Sequence, residues 1–231
     1  MYEYEERVVV YLDVLGWKNL VISEKTKLPQ EIMGYVTKIE YKHNQNQKIK
    51  KTRRVSDYKD KNYGFDSEYF NTEEMSIFSD TIVYSHPAKY AKNLLVDISF
   101  FITGLINSGL LIRGGITVGN LYHDGNIIIG PALIEAYELE NKAIYPRVIC
   151  SYELLKNSEN WEEYFKKFIY EDFDGKKIIK YINPKDRQYP KYPNDINQII
   201  NKNINNFAKS QRCIDEYSKW MYLKNFFDKS V

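Results

Sequence analysis

Little in this chain speaks for an oxidising compartment or a thiolate metal site. Its two cysteines, Cys150 and Cys213, stand on unrelated segments without metal-ligand spacing. They read as reduced thiols of a cytosolic protein. An excess of either charge is also missing: 33 Lys and Arg against 31 Asp and Glu leave a formal net charge of +2. Composition therefore gives no reason to expect a nucleic acid or a membrane surface as partner. No apolar run is clean enough to cross a bilayer. The longest, LLVDISFFITGLINSGLLI at 94–112, holds Asp97 and Asn107 and breaks at Ser108-Gly109, so it reads as a core helix leading into a strand. The start, MYEYEER, is charged and runs directly into a strand, which argues against a signal peptide. Internal repeats and clear linkers are absent. These gaps together lead to the expectation of a soluble, cytoplasmic protein.

What is present suffices for one folded unit: 231 residues, 43% of them hydrophobic, are enough to bury a real core. Residues 7–15 are apolar throughout, as in a central strand covered on both faces. A helix is expected near 17–40, and 41–72 is a polar, basic insertion or long loop without apolar periodicity, a solvated face or a phosphate-attracting rim. MSIFS and TIVYS follow, joined at Ser79-Asp80 as a tight hairpin or one bent strand. Apolar residues at 90, 94, 98, 102 and 105 mark a helix that Pro87 opens and Gly109 ends. A strand at 110–122, a turn at His123-Asp124-Gly125-Asn126, and IIIG come next. A helix at 131–143 starts on Pro131, and YPRVICS is a short strand. Strands and helices interleave, which predicts an α/β (α+β) sandwich with a mixed sheet of the ferredoxin-like or palm βαββαβ type. The core spans 1–155. A mostly helical C-terminal extension, 156–231, packs on it, with a strand pair about the turn 172–177.

Two aspartates interrupt this apolar pattern. Asp13 ends the first strand and Asp80 sits between the second and third. Alone, either is accounted for by a salt bridge, to Lys18 or a nearby Arg, or by a helix cap. Together they mean more, because in a βαββ unit the end of the first strand lies beside the bend between the next two. Converging carboxylates repel one another and raise their pKa values unless divalent cations neutralise them. Mg²⁺ uses only one or two carboxylates and completes its shell with water and phosphate oxygens. Such an arrangement suits two-metal phosphoryl or nucleotidyl transfer. Gly16 fits the same picture, since it lets the chain turn behind Asp13 so that helix-starting N–H groups face phosphate oxygens.

Taken in order, YLDVLGWK, FSDTIVYS, IRGGITVGNLYHDGNIIIGPALIEAYELE and YPRVICS resemble the catalytic core of class III nucleotidyl cyclases. They are most similar to the pyrimidine (uridylate and cytidylate) cyclases of Pycsar antiphage systems. The resemblance covers about residues 7–155. It implies that Asp13 and Asp80, with the Val14 carbonyl, bind two Mg²⁺ or Mn²⁺ ions per active site. It also implies that the backbone of Leu15, Gly16 and Trp17 cradles a triphosphate, and that the protein is a homodimer with active sites at its interface. The pattern departs where adenylate cyclases read the base. Ser76 stands where they carry Lys, Ile127 near their second base reader, and Ile134 and Glu138 where they carry Asn and a transition-state Arg. Arg113 and Arg147 are the candidate cations for the transferring phosphate, with Lys18 and Lys142 behind them. A salt bridge from Arg113 to Glu135 or Glu138 is the alternative for that residue. At His123-Asp124, a hairpin tip is favoured over a general base.

The resulting expectation is a cyclase that turns a nucleoside triphosphate, UTP or CTP favoured, into a 3′,5′-cyclic mononucleotide and pyrophosphate. The product would be read by a separate effector protein in antiphage defence. The alternatives are a palm-type enzyme making a cyclic dinucleotide, and a catalytically silent module that binds a nucleotide and regulates a partner.

Overall fold

The computed structural model describes residues 2–18, 67–107, 109–181, 196–208 and 214–229. The body of the helix expected at 17–40 and most of the polar segment at 41–72 lie outside the described residues. The end of that segment is not loop but a short helix, α1 (Ser67–Asn71). Tyr69 explains it: the ring is buried, stacks on His86 with centroids 4.1 Å apart, and donates to Asp97 Oδ2 at 2.5 Å.

The remaining elements follow the expected alternation. Strand β1 (Glu5–Leu15) precedes α1. Strands β2 (Glu74–Phe78) and β3 (Thr81–Pro87) come next, then α2 (Ala91–Ile106), β4 (Leu111–Asp124), β5 (Ile127–Ile129) and α3 (Pro131–Asn141). The chain continues through β6 (Val148–Cys150), α4 (Tyr152–Ser158), α5 (Glu163–Lys166), β7 (Ile169–Glu171) and β8 (Lys177–Ile179) to α6 (Ile196–Ala208) and α7 (Ile214–Lys229). One mixed sheet runs in the order β2-β3-β1-β4-β6-β8-β7, with β5 paired to β4. Only the β4–β6 pair is parallel among the described ladders. Because β8 pairs with β6 through Ile149 and Ile178, the sheet continues past residue 155 into the C-terminal third.

Strand β1 builds both sides of the sheet, since successive side chains point to opposite faces. Val8, Val10, Leu12 and Val14 enter the larger core, with Leu94, Ile98 and Ile102 of α2 and with Trp220, Leu223, Phe226 and Phe227 of α7. Val9 faces the other way, against Val83, Leu121, Ala132 and Ala136 under α3, where Tyr11 joins them. Helix α3 seats almost on the backbone of β4. A Cβ at Gly115 would stand 2.3 Å from the Ala136 carbonyl oxygen and 2.5 Å from Leu139 Cβ. Only glycine allows so close an approach.

Candidate active site

The alternation that sends Val9 and Tyr11 to the α3 side sends Asp13 there as well. Its neighbours across the ladders are Thr81 on β3 and Arg113 on β4. Asp80 reaches the same place by a tight turn. Phe78 and Thr81 are paired, so Ser79-Asp80 form a two-residue hairpin loop. Ser79 takes φ 56°, the left-handed conformation that such loops need. The connection is thus a hairpin and not a bent strand. It is fastened to β1 where the Val14 N–H donates to the Asp80 carbonyl at 2.9 Å.

The charges gathered here are unbalanced. Arg113 Nε lies 3.3 Å from Asp13 Oδ2 and closes on Glu140 Oε1. Burial pushes the Asp13 pKa above the ordinary carboxylate range; Arg113 works against that rise and the Asp80 charge adds to it. Glu140 is raised in the same way, by burial first, with Arg113 opposing and Asp13 and Asp80 contributing. Lys219, on α7, adds a weak pull that favours the Asp13 carboxylate. Three acidic side chains therefore face one guanidinium and one more distant ammonium. Among the described residues no three His, Cys, Asp or Glu side chains form a metal cage by themselves. Two carboxylates in surroundings short of positive charge still fit a hard divalent cation, which takes its remaining ligands from water and phosphate.

The other residues singled out in the sequence divide into two groups. Leu15 ends β1, and Gly16 follows with φ 79° and open space around the position of a Cβ, so a glycine serves the backbone turn and not a tight fit. Trp17 packs against the larger core and Lys18 is exposed. This stretch leaves the strand directly after Asp13 and Val14. Arg113 is also at the site, but its partner on α3 is Glu140 and neither Glu135 nor Glu138. Strand β4 runs under α3 so that Gly119 meets Ala132 and Gly115 meets Ala136 and Leu139. Arg113 therefore falls beneath the last turn, while Glu135 accepts from Thr117 Oγ1 at 2.7 Å.

Arg147 is not brought to the site. Its side chain is fully buried and paired with Asp172 and, at 2.7 Å, with Asp174. Tyr222 of α7 donates to the same Asp172 at 2.7 Å. Arg147 thus ties the β7–β8 turn and α7 to the sheet. Ser76 is also engaged elsewhere: its hydroxyl donates to the Gly125 carbonyl and lies 3.1 Å from His123 Nε2. His123 is no hairpin tip, because β4 extends to Asp124 and the turn is at Gly125-Asn126. The ring is buried, with Ser85 Oγ 2.8 Å from Nδ1 and Arg7 Nε donating to that same Oγ at 3.0 Å. A neutral ring that accepts from Ser85 at Nδ1 and donates to Ser76 from Nε2 continues the line that Arg7 begins and Ser76 ends on the Gly125 carbonyl. Burial, then the nearby Arg7, lowers the His123 pKa to about 4.

Glu140 and Lys219 were not found by sequence reasoning. For Glu140 a signal was there: the buried residues Ala132, Ala136 and Glu140 recur every four positions and so share one stripe of the helix. Lys219 lies on a helix that approaches β1 only through tertiary packing, and no local pattern marks it.

No protein-family model matches the chain, and no curated protein matches it in sequence. Solved structures do show a likeness in outline. The adenylyl cyclase CyaB from P. aeruginosa is 15% identical, covering 78% of this chain and 94% of that one, with a TM-score of 0.45. The guanylate cyclase domain of RhGC from Catenaria anguillulae, in complex with GTP, is 16% identical over 77% of this chain and 96% of that one, with a TM-score of 0.45. The monomeric guanylyl cyclase domain of the RhoGC fusion protein from Blastocladiella emersonii is 16% identical over 76% and 94%, with a TM-score of 0.46. At values of this size the likeness assigns no residue.

Proposed function

We propose that this chain is a nucleotidyl cyclase of the class III type acting on a nucleoside triphosphate, with UTP or CTP favoured. The observation that carries the reading is the meeting of Asp13 and Asp80 in half-buried surroundings short of positive charge. The ordered motifs of residues 7–155 support it.

Asp13 and Asp80, with the Val14 carbonyl, would hold two Mg²⁺ or Mn²⁺ ions, which when bound lower the pKa of a substrate hydroxyl and neutralise phosphate charge. The backbone at Leu15, Gly16 and Trp17 receives the triphosphate, with Lys18 at its rim. Arg113 supplies fixed positive charge beside the transferring phosphate, stabilising charge that develops there without any reorganisation. In the reaction the 3′-oxygen forms a bond to the α-phosphorus, the bond from that phosphorus to the bridging oxygen of pyrophosphate breaks, and the hydroxyl proton leaves. Ser76, held by Gly125 and His123, gives no cation for reading a purine, and this agrees with a pyrimidine substrate.

A homodimer that shares its active sites fits the exposed apolar side chains on the α3 side of the sheet: Ile134 and Tyr137 on α3 and Phe78 beside the Asp80 turn. The cyclic product would act on a separate effector protein in antiphage defence, in the cytoplasm. No helix among the described residues is long and apolar enough to cross a membrane.

The test is to incubate the protein with each of the four ribonucleoside triphosphates and Mn²⁺ and identify the products by mass spectrometry. A 3′,5′-cyclic mononucleotide with pyrophosphate bears the reading out. A linked dinucleotide moves the protein to the palm-type alternative. Nucleotide binding without product makes it a silent regulatory module, the outcome that Ile134 and Glu138 favour by standing where adenylate cyclases carry Asn and Arg.

A further inference from the structure

We propose that Glu140 is a positioning residue: its buried carboxylate holds the Arg113 guanidinium beside Asp13 while leaving Asp13 free to take a divalent cation. The inference rests on the reading of Asp13 and Asp80 as cation ligands.

Three observations lead to it. First, Glu140 is costly where it stands. Its side chain is 3% exposed, and it lies in the last turn of α3, where the helix dipole disfavours negative charge. A carboxylate buried on these terms needs a compensating cation, and Arg113 is the cation that meets it. Second, the contact is not shaped as a stabilising fork. Arg113 Nε closes on Glu140 Oε1 with both atoms buried, and the same Nε also faces Asp13, so the ion pair runs through one nitrogen. Arg–carboxylate pairs that serve stability are commonly bidentate; this one attracts without locking. Third, the same Nε is shared with Asp13 at 3.3 Å. Had Asp13 been the sole acidic partner, every cation arriving there would have to displace an arginine with nowhere else to go. Glu140 supplies the second partner. Arg113 then stays in the site as positive charge when Asp13 turns to a metal.

The experiment measures Mn²⁺ binding to the full chain without nucleotide, by electron paramagnetic resonance of the free ion. Thermal melts serve as the fold control. Wild type binds Mn²⁺. Glu140→Gln leaves Arg113 with Asp13 alone and weakens binding about tenfold, the scale of one close charge pair. Glu140→Asp keeps the charge but draws it back from the guanidinium, and it loses about as much. In an Arg113→Gln background, adding either change has no further effect. Two results overturn the proposal: Glu140→Asp binding like wild type, or a loss in Glu140→Gln that persists undiminished without Arg113. Either means that Glu140 acts through its own charge. Failure of wild type to bind Mn²⁺ removes the cation reading of Asp13 and Asp80, and this inference with it.

Discussion

Asp13 and Arg113 face each other across the β1–β4 ladder, and the guanidinium Nε stands 3.3 Å from the carboxylate. Without a divalent cation this pair is what offsets the Asp13 charge, and Asp80, next door through the Val14–Asp80 bond, has no comparable ion pair in the described structure. The two aspartates should therefore respond differently to mutation, although the proposed chemistry calls on both.

Asp80→Ala is expected to abolish cyclic nucleotide formation by at least about a thousandfold, the scale of losing a group that organises transition-state charge. Stability should stay within about 0.5 kcal/mol of wild type, since a half-buried loop side chain without an ion pair among the described residues loses only a charge that repels Asp13. Asp13→Ala should lose activity as completely. Product assays and denaturant titrations on the same samples check both.

The raised pKa values of Asp13 and Glu140 fix the sign of a pH effect. Above their ordinary range the folded protein still holds protons that the unfolded chain has released. The stability these groups contribute is complete at acid pH and is lost as pH rises through their raised values. Mn²⁺ should oppose that loss, because it binds the deprotonated form. Denaturation curves from about pH 4 to pH 7, with and without Mn²⁺, measure it, and Asp13→Asn should flatten the metal-free slope.

His123 contributes the opposite slope. Its pKa falls from 6.5 unfolded to about 4 folded, so the unfolded chain takes up the proton first as pH drops. The stability it contributes is whole above pH 6.5 and is lost on the way down to about pH 4, a difference of about 3 kcal/mol. His123→Asn should remove this acid-side loss and leave the carboxylate slope alone, which the same titration shows.

Arg147→Met is expected to cost about 3–5 kcal/mol in denaturant, because it strands the buried Asp172 without its cation. Asp174→Asn should cost much less. Its carboxyl is on the exposed side of the pair, where Lys176 also meets it and water takes up part of the loss.

Much of this architecture could be read from the chain. The two-residue period of β1 and the three-to-four spacing of α2 are local signals, and burial follows them. Asp13 and Asp80 were legible for the same reason: a carboxylate inside an apolar run stands out. Arg147 misled because Pro-Arg at a strand start looks the same whether the side chain meets solvent, phosphate or a buried acid. Its partners, Asp172 and Asp174, come 25 and 27 positions later on another turn. The pairing of Arg113 with Glu140 and not with Glu135 or Glu138 depends on how far α3 slides along β4. Contacts at Gly115 and Gly119 set that slide, and helical periodicity alone does not encode it. The neighbours of His123 have turn chemistry and suggest a tip, whereas the ladder to β5 carries the strand on to Asp124.

The pairing of β8 with β6 bears on how this molecule could be divided. Ending the polypeptide at residue 155 would strip a neighbour from β6 and leave its backbone groups open, an invitation to aggregate. It would also orphan Arg147 and take away the aromatic rows of α7 that roof the larger core. Anyone seeking a minimal soluble fragment should keep the last 76 residues, for the sheet is sealed from its far side.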